Sequence, residues 1–303
     1  MSRIVLALLG CIAVVPASAE PALRICLQSH DPPLSSRRGD EPAGFDVALA
    51  RQVAQRLDRP LEIQWFVTRD DADSNPVTEA DALLSDQRCA LVAGYPLVAD
   101  KLGRPRAASG KLPPFEGAAP EDRRRWITLG ELTPTLPYRF EAITVALSPA
   151  HVRTTVQSLD GLHGLRIGVV VHGLPDLIAM AYRNGELADR VVHVTQSNAL
   201  FAELESDALD AALVDLRELD AWRAAHPTTR VVASGYTHSV GFNIGYVGLA
   251  TSDALLRGVD AIVAGLLADG SMPRLASDAA MTWLPPRPPN VRGGVTVGAL
   301  RGD

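Results

Sequence analysis

Four short segments of the sequence carry polar or turn-forming residues where a small molecule could bind. They are residues 31–35, 94–96 and 172–176 and the single residue Asp215, and each follows a predicted strand. A carboxylate there can receive an ammonium group, and backbone N–H groups at a helix start can receive an anion. Each segment is also typical of an ordinary turn or helix cap. Because the pattern occurs in both halves of the chain, we expect a cleft whose ligand-binding candidates are Asp31, Leu34, Gly94, Tyr95, Tyr138, Gly173, Leu174 and Asp215.

The sequence lacks the motifs of common catalytic and metal-binding sites. It contains no Gly-x-Ser-x-Gly, no His-Glu-x-x-His and no Gly-x-x-x-x-Gly-Lys. Its seven histidines are scattered without the close spacing of metal ligands. We therefore expect a non-enzymatic protein with no catalytic residue, metal or cofactor. If the cleft belonged to an enzyme instead, the candidate acids or bases are Asp31, Asp46 and His172.

The first 19 residues have the pattern of a cleavable secretory signal peptide. Arg3 precedes an apolar run that ends in the small residues 17–19, and the run is shorter than the roughly 20 residues of a membrane-spanning helix. Lipidation at Cys11 is the alternative, but it leaves only a short apolar core before the cysteine. We expect a periplasmic protein in which Cys26 and Cys89 meet an oxidising compartment.

The chain after the predicted signal peptide is acidic and has no long apolar segment. The full sequence has a formal net charge of −6, and nearly all of its positive charge comes from arginine. This balance argues against nucleic acid as a partner. The missing apolar segment argues against membrane insertion after signal cleavage. Residues 20–303 are long enough for two domains, and we expect a monomer.

Strand and helix patterns alternate along the chain, as in an α/β fold. A strand over residues 23–27 precedes a helix over 44–57, in which apolar residues recur every four positions. Strands over 61–66 and 89–95 follow, with a second helix between them. Short links between these elements predict parallel strands with right-handed crossovers.

A second unit with the same alternation begins after Tyr138, and it ends in a strand over residues 243–250 and a helix over 252–268. The prediction is therefore two α/β lobes, each a mostly parallel sheet flanked by helices. A Pro- and Arg-rich insert is expected to be a surface loop or lid, and the Pro- and Gly-rich end a disordered tail. The predicted boundaries are 20–140 plus 246–285 for the first lobe, 103–130 for its insert, 141–245 for the second lobe and 286–303 for the tail.

Six stretches, which together span nearly all of the chain after residue 20, are similar to segments of one protein family. They are GFDVALARQVAQRL, CALVAG, LPYRFEAITVAL, SLDGLHGLRIGVVVHG, ALFAELESDALDAALVD and GYVGLATSDALLRGVDAIVAGLLADGSMPRLASD. The chain thereby resembles family 3 of the periplasmic solute-binding proteins, which have the type II two-lobed fold. The resemblance implies a ligand cleft between the lobes, hinges near residues 138–142 and 244–248, and an ABC permease as partner.

The sequence departs from this family at two expected ligand contacts. Amino-acid binders of the family usually follow the third strand with Thr-x-x-Arg, whose arginine grips the ligand carboxylate. Here Tyr-Pro-Leu-Val stands at 95–98, and Gly173-Leu174 replaces the Gly-Thr that often begins the second-lobe helix. Asp215 matches the family aspartate that receives the ammonium group. The arginines that could replace the missing clamp are Arg104, Arg106 and Arg139.

Five further features are shared with a narrower group of proteins. They are Cys26, Trp65, Arg88-Cys89, Gly94-Tyr95-Pro96 and Pro137-Tyr138. In these the chain resembles the J-type periplasmic proteins encoded with bacterial methanol and other quinoprotein alcohol dehydrogenases, which implies an accessory or maturation role. The leading interpretation is a solute-binding protein for a small polar molecule. Its alternatives are this dehydrogenase accessory role and a cleft enzyme of the cyclic-acid dehydratase type, which shares the fold.

The two cysteines that remain after signal cleavage are expected to form a disulfide. In the strand order that the chain resembles, the first and third strands are neighbours, which brings Cys26 and Cys89 close together. The alternative is two buried thiols that act as small apolar core residues.

Overall fold

The computed structural model describes residues 21–39, 41–69 and 75–302. The predicted signal peptide and its cleavage site lie outside these ranges. Within them, no helix is both long and apolar enough to span a bilayer. Strands and helices alternate in the α/β order that the sequence predicts.

Residues 21–134 supply the first group of elements. These are β1 (Leu23–Gln28), β2 (His30–Asp31), β3 (Ser35–Ser36), α1 (Phe45–Arg56), β4 (Leu61–Phe66), α2 (Pro76–Ser85), β5 (Leu91–Pro96), β6 (Ser109–Lys111), β7 (Trp126–Thr128) and β8 (Leu132–Pro134). The start of α2 follows from local chemistry, since the Asn75 side chain accepts hydrogen bonds from the backbone N–H groups of Val77 and Thr78. Pro76 occupies the first helical position, where its missing N–H costs nothing.

The remaining elements follow from residue 139. They are β9 (Arg139–Leu147), β10 (Ile167–Val170), α3 (Leu174–Ala181), β11 (Val191–Val194), α4 (Ser197–Glu205), β12 (Ala211–Asp215), α5 (Leu216–Ala225), β13 (Val232–Leu249), α6 (Asp253–Ala268), α7 (Ser271–Asp278) and α8 (Val297–Leu300). The sequence analysis missed α5 and α7 and assigned only the last third of β13. The polar, β-turn-like residues 234–241 concealed the first part of this strand.

One nine-stranded sheet runs through both lobes. Its order is β11-β10-β12-β9-β13-β5-β1-β4, with β8 also paired to β13. Strands β1, β4 and β5 are parallel in the first lobe, and β10, β11 and β12 are parallel in the second. Strands β9 and β13 pair antiparallel between the two sets, and Arg139 lies opposite Ile244. The lobes are therefore joined by two hydrogen-bonded strands.

Each face of each lobe has its own buried apolar cluster. In the first lobe, Leu23, Ile25 and Leu27 of β1 face α1, α6 and α7, whereas Cys26 faces α2 and the insert. This alternation is the period of two expected of a strand buried on both faces. In the second lobe α3 covers one face, and α4 and α5 cover the other.

The insert, residues 103–130, folds against the outer edge of the first lobe. Strands β6 and β7 form a hairpin beside α2. Beyond the end of β4, the Val67 N–H donates to Pro114 and the Glu116 N–H donates to Trp65. The insert thereby covers an otherwise open sheet edge, which would expose unpaired backbone groups.

The chain end, where the sequence analysis expects a disordered tail, packs against the strands that join the lobes. The buried Asn243 side chain of β13 donates to the carbonyls of Arg287, Pro289 and Asn290 and accepts the Arg287 N–H. The Arg287 guanidinium lies 4.1 Å from the centre of the Phe140 ring. Proline and glycine content alone therefore misjudges this segment, because a single buried amide satisfies several of its backbone groups.

The same C-terminal segment contacts both lobes. Arg292 exchanges backbone hydrogen bonds with Leu97 and Ala99 in the first lobe. Leu300 of α8 packs on the second-lobe core, and the Gly302 carbonyl lies 3.1 Å from Nε2 of His238. We call residues 284–302 the C-terminal strap.

The expected disulfide is confirmed. Cys26 and Cys89 are bonded, with their Cα atoms 5.6 Å apart. The bond joins β1 to the turn that precedes β5, and these two strands are direct neighbours in the sheet.

We expect loss of this bond to lower the free energy of unfolding by about 4 kcal/mol. The reason is that the bond joins two residues with a sequence separation of 63 and so restricts the unfolded chain. Urea unfolding of Cys89→Ser measures the loss. Cys26→Ser and the double variant are matched controls, which should lose the same amount if the bond alone is responsible. Alkylation of the denatured, unreduced protein, prepared as residues 20–303 so that Cys11 is left out, should add no label, and two added labels would contradict the bond.

Candidate functional site

A cavity of about 260 Å³ lies between the lobes, beyond the carboxyl ends of β1, β4 and β5. The first lobe supplies most of its wall, including the starts of α1 and α2. Strands β9 and β13 and the β12–α5 junction supply the rest. The predicted ligand-binding residues that line it are Asp31, Leu34, Gly94, Tyr95 and Asp215.

Tyr138, another predicted ligand contact, is fully buried behind the cavity wall. Its hydroxyl donates to Asp46 Oδ1 at 3.0 Å and accepts the Gly94 N–H at 2.7 Å. Gly94 has φ of 73°, a left-handed conformation that favours glycine. Gly94 lies within β5 rather than in a turn after it, and the Tyr138 hydroxyl holds this part of the strand against the start of α1.

Asp46 is the most deeply buried carboxylate of the site. It is 3% exposed and lies in the first turn of α1, yet it lines the cavity. Burial raises the pKa of Asp46 to about 6, against the opposing influence of Arg139 and the Tyr138 hydrogen bond. This group therefore changes charge near neutral pH.

Two arginines and two carboxylates form an ion network across the cavity. Arg217 of the second lobe donates through Nη1 to Asp31 of the first lobe at 2.6 Å and through Nε to Glu141 at 3.0 Å. Glu141 also receives Nη1 of Arg139. Burial alone would raise the pKa of Glu141, but the guanidiniums of Arg139 and Arg217 outweigh it, and the pKa lies below its usual value. The network connects the lobes.

Asp215 ends β12 and faces the cavity beside this network. It forms no side-chain hydrogen bond or ion pair with the residues that the structure describes. Burial and the nearby carboxylates Glu141 and Glu218 raise the pKa of Asp215 to about 7, although Arg217 opposes the shift. Asp215 is therefore a second carboxylate that titrates near neutral pH.

The residues predicted at the start of the second-lobe helix are not among those that line the cavity. Gly173 is the N-cap residue of α3, and Leu174 packs against the second-lobe core. The His172 N–H donates to the Asp176 carboxylate, as in an ordinary helix cap. Of the three candidate acids or bases of an enzyme, Asp31 and Asp46 line the cavity and His172 does not.

Sequence reasoning missed two charged groups of the site, Glu141 and Arg217. Arg139 and Glu141 are two positions apart on β9, a spacing that places both side chains on one face of the strand. Arg217 is the second residue of the unpredicted helix α5. Of the three arginines considered as replacement clamps, Arg139 lines this cavity, whereas Arg104 and Arg106 line a separate pocket beside the insert.

Among the described residues, one group has the spacing of metal ligands. It consists of Asp160, His163 and Glu186 on the surface of the second lobe. Arg183 already pairs with Asp160 and Glu186, so the group is a solvated ion cluster.

Comparison with solved structures identifies the fold as that of the two-lobed type II periplasmic binding proteins. The L-cystine solute receptor of Neisseria gonorrhoeae, in its unliganded open conformation, has a TM-score of 0.62 at 15% identity, over 88% of this chain and 96% of that chain. The second substrate-binding domain of Lactococcus lactis GlnP, in an open conformation, also has a TM-score of 0.62 at 15% identity, over 87% and 96% of the chains.

A histidine kinase sensor domain with similarity to periplasmic binding proteins has a TM-score of 0.53 at 14% identity, over 88% of this chain and 98% of that chain. No protein-family model matches the sequence, and no curated protein does. At sequence identities this low, the structural similarity shows the fold alone.

We expect Asp46→Asn to stabilise the protein at high pH and to leave its stability unchanged at low pH. The raised pKa means that the folded state favours protonated Asp46, so the native protein loses stability as pH rises from 3.8 to about 6. The variant avoids this loss, which is about 3 kcal/mol for a shift of about two units. Urea unfolding of both proteins at pH 4 and pH 7.5 measures the difference. An equal gain at both pH values would mean that Asp46 does not titrate in this range.

Proposed function

We propose that this protein is a non-enzymatic periplasmic binding protein that takes a small polar molecule into the cleft between its lobes. The observation that carries the proposal is the cavity itself, which both lobes line and which contains charged groups from each. A site shared in this way exists in full only when the lobes are close together. A ligand that contacts both lobes therefore favours the closed arrangement.

The proposed ligand contacts are the polar groups at the strand ends. Asp31 and Gly94 of β5 belong to the first lobe, and Asp215 belongs to the second. The proposed hinges are residues 138–142 and 244–248, where β9 and β13 pass between the lobes. Two of the structural neighbours are a solute receptor and the substrate-binding domain of GlnP, which supports a receptor role. The proposed partner is the ABC permease that the family resemblance implies.

A second candidate is an accessory role beside a periplasmic quinoprotein dehydrogenase. The C-terminal strap favours it, because its contacts with Leu97, Ala99 and His238 hold both lobes. A strap of this kind opposes large movements of one lobe against the other. A scaffold for a protein partner would benefit from such a fixed arrangement.

A thermal-shift screen of small polar molecules tests the receptor function. A true ligand at 100 times its Kd should stabilise the protein by about 2.7 kcal/mol. For an amine-containing ligand, Asp215→Ala should abolish the shift. The melting temperature of the free variant above pH 7 should be no lower than that of the native protein, because the change removes a carboxylate whose pKa is raised by burial. An undiminished shift in the variant would remove Asp215 from the site.

Small-angle X-ray scattering separates the two candidate functions. If β9 and β13 act as hinges, saturating ligand should lower the radius of gyration. An unchanged radius under saturating ligand would favour the fixed scaffold and thus the accessory role. A variant that ends at residue 283 shows whether the strap restrains the motion.

A further inference from the structure

We infer that the cleft selects an organic cation that carries no carboxylate, such as an amine or a guanidine. This inference rests on the proposed receptor function and names its ligand class. It depends on which hydrogen-bonding edges of the charged side chains are open to the cavity.

The charged groups that line the cavity are predominantly acidic. Among the described residues that line it, four carboxylates face two guanidiniums, Arg139 and Arg217, and there is no lysine or histidine. Both guanidiniums are balanced by Asp31 and Glu141 within the network described above. Asp46 and Asp215 are the carboxylates that remain without a cation in direct contact.

Both arginines already contact carboxylates of the chain through nitrogens that a bidentate grip would use. Such a grip uses Nη2 together with either Nη1 or Nε of one guanidinium. In Arg139, Nη1 is bonded to Glu141, and Nε is buried without a hydrogen-bond partner among the described residues. In Arg217, Nη1 is bonded to Asp31, and Nε lies 3.0 Å from Glu141. A ligand carboxylate would therefore compete with Asp31 and Glu141 for these groups.

Two of the helix starts at the cavity already donate to acceptors of the chain itself, and the third carries a negative charge. At α1, the N–H groups of Phe45 and Asp46 donate to the carbonyls of Pro33 and Leu34. At α2, the Asn75 side chain accepts the N–H groups of Val77 and Thr78. At α5, Asp215 is the N-cap residue and makes no capping hydrogen bond, so its carboxylate opposes the approach of an anion.

Two carboxylates of the cavity instead have no cationic partner at contact distance among the described residues. Asp46 is 3% exposed and lines the cavity, and its only side-chain hydrogen bond, from Tyr138, uses Oδ1. The absence of a Cβ at Gly94 leaves access to Oδ2, since a Cβ there would lie 3.4 Å from it. Asp215 has no bonding partner among the described residues and lies on the opposite lobe. A cation between the two would pair a buried carboxylate that otherwise bears the cost of desolvation.

Arg217 shows that this environment accommodates a guanidinium. The chain's own cation sits between Asp31 and Glu141 in the same cavity, with Asp215 and Glu218 nearby. A ligand cation would likewise lie between two carboxylates, in this case those of Asp46 and Asp215. Removal of the Arg217 charge should therefore strengthen the attraction of the cavity for cations.

Matched pairs of probes that differ by one α-carboxylate provide the test. They are putrescine and ornithine, cadaverine and lysine, and agmatine and arginine, each titrated by calorimetry into the disulfide-bonded protein. In every pair that binds, we expect the decarboxylated member to bind at least ten-fold more tightly. Equal or tighter binding of the amino acid would overturn the inference and leave the receptor function intact.

Failure of the inference and failure of the receptor function give different results. If no cation binds but an anion or neutral molecule from the wider screen does, the cation inference alone is overturned. If no molecule of either set binds, both proposals are overturned.

Four variants test the assignment of groups. Asp46→Asn and Asp215→Asn should each weaken binding of the cation at least ten-fold, whereas Asp278→Asn, an exposed control on α7, should not change it. Arg217→Gln should tighten cation binding, provided that its melting temperature shows a folded protein. Weaker binding of the cation to folded Arg217→Gln, or unchanged binding to both aspartate variants, would contradict the assignment.

Discussion

The antiparallel pairing of β9 with β13 is the constraint on which the rest of the molecule depends. These two strands are the shared centre of the sheet, and every parallel strand belongs to one side of them or the other. Arg139 and Glu141 of β9 project charge into the cavity, and Asn243 of β13 holds the C-terminal strap. The site and the strap are thus positioned by the same pair of strands. A change in their pairing would alter both together.

Burial and charge act against each other throughout the cleft. In the network of Asp31, Glu141, Arg139 and Arg217, each charged group contacts a group of opposite charge. Asp46 and Asp215 lack such neighbours at contact distance, and their pKa values rise to about 6 and about 7. The site therefore combines a fixed ionic framework with two carboxylates whose charge depends on what surrounds them.

The sequence predicts the fold well because apolar periodicity is a local signal. The spacing of Phe45, Leu49 and Val53 predicts α1, and the paired cysteines predict a bond that the structure contains. The candidate site is predicted less completely. Asp31, Gly94 and Asp215 follow from strand ends, but Glu141 and Arg217 meet only through long-range packing. The strap was mispredicted because its order comes from Asn243, which lies more than 40 residues away in sequence.

The discontinuous first lobe has a consequence for the order in which the chain can fold. Its core requires Leu256, Val259 and Val263 of α6, which are synthesised after the whole second lobe. The second lobe, in contrast, draws nearly all of its core from one continuous stretch, residues 143–240. Because the amino end of the chain emerges first, the second lobe can become compact before α6 is available to pack against β1, β4 and β5. Until α6 has packed, the apolar surface of the first lobe is exposed. This is the stage of folding at which chaperones have the most apolar surface to protect.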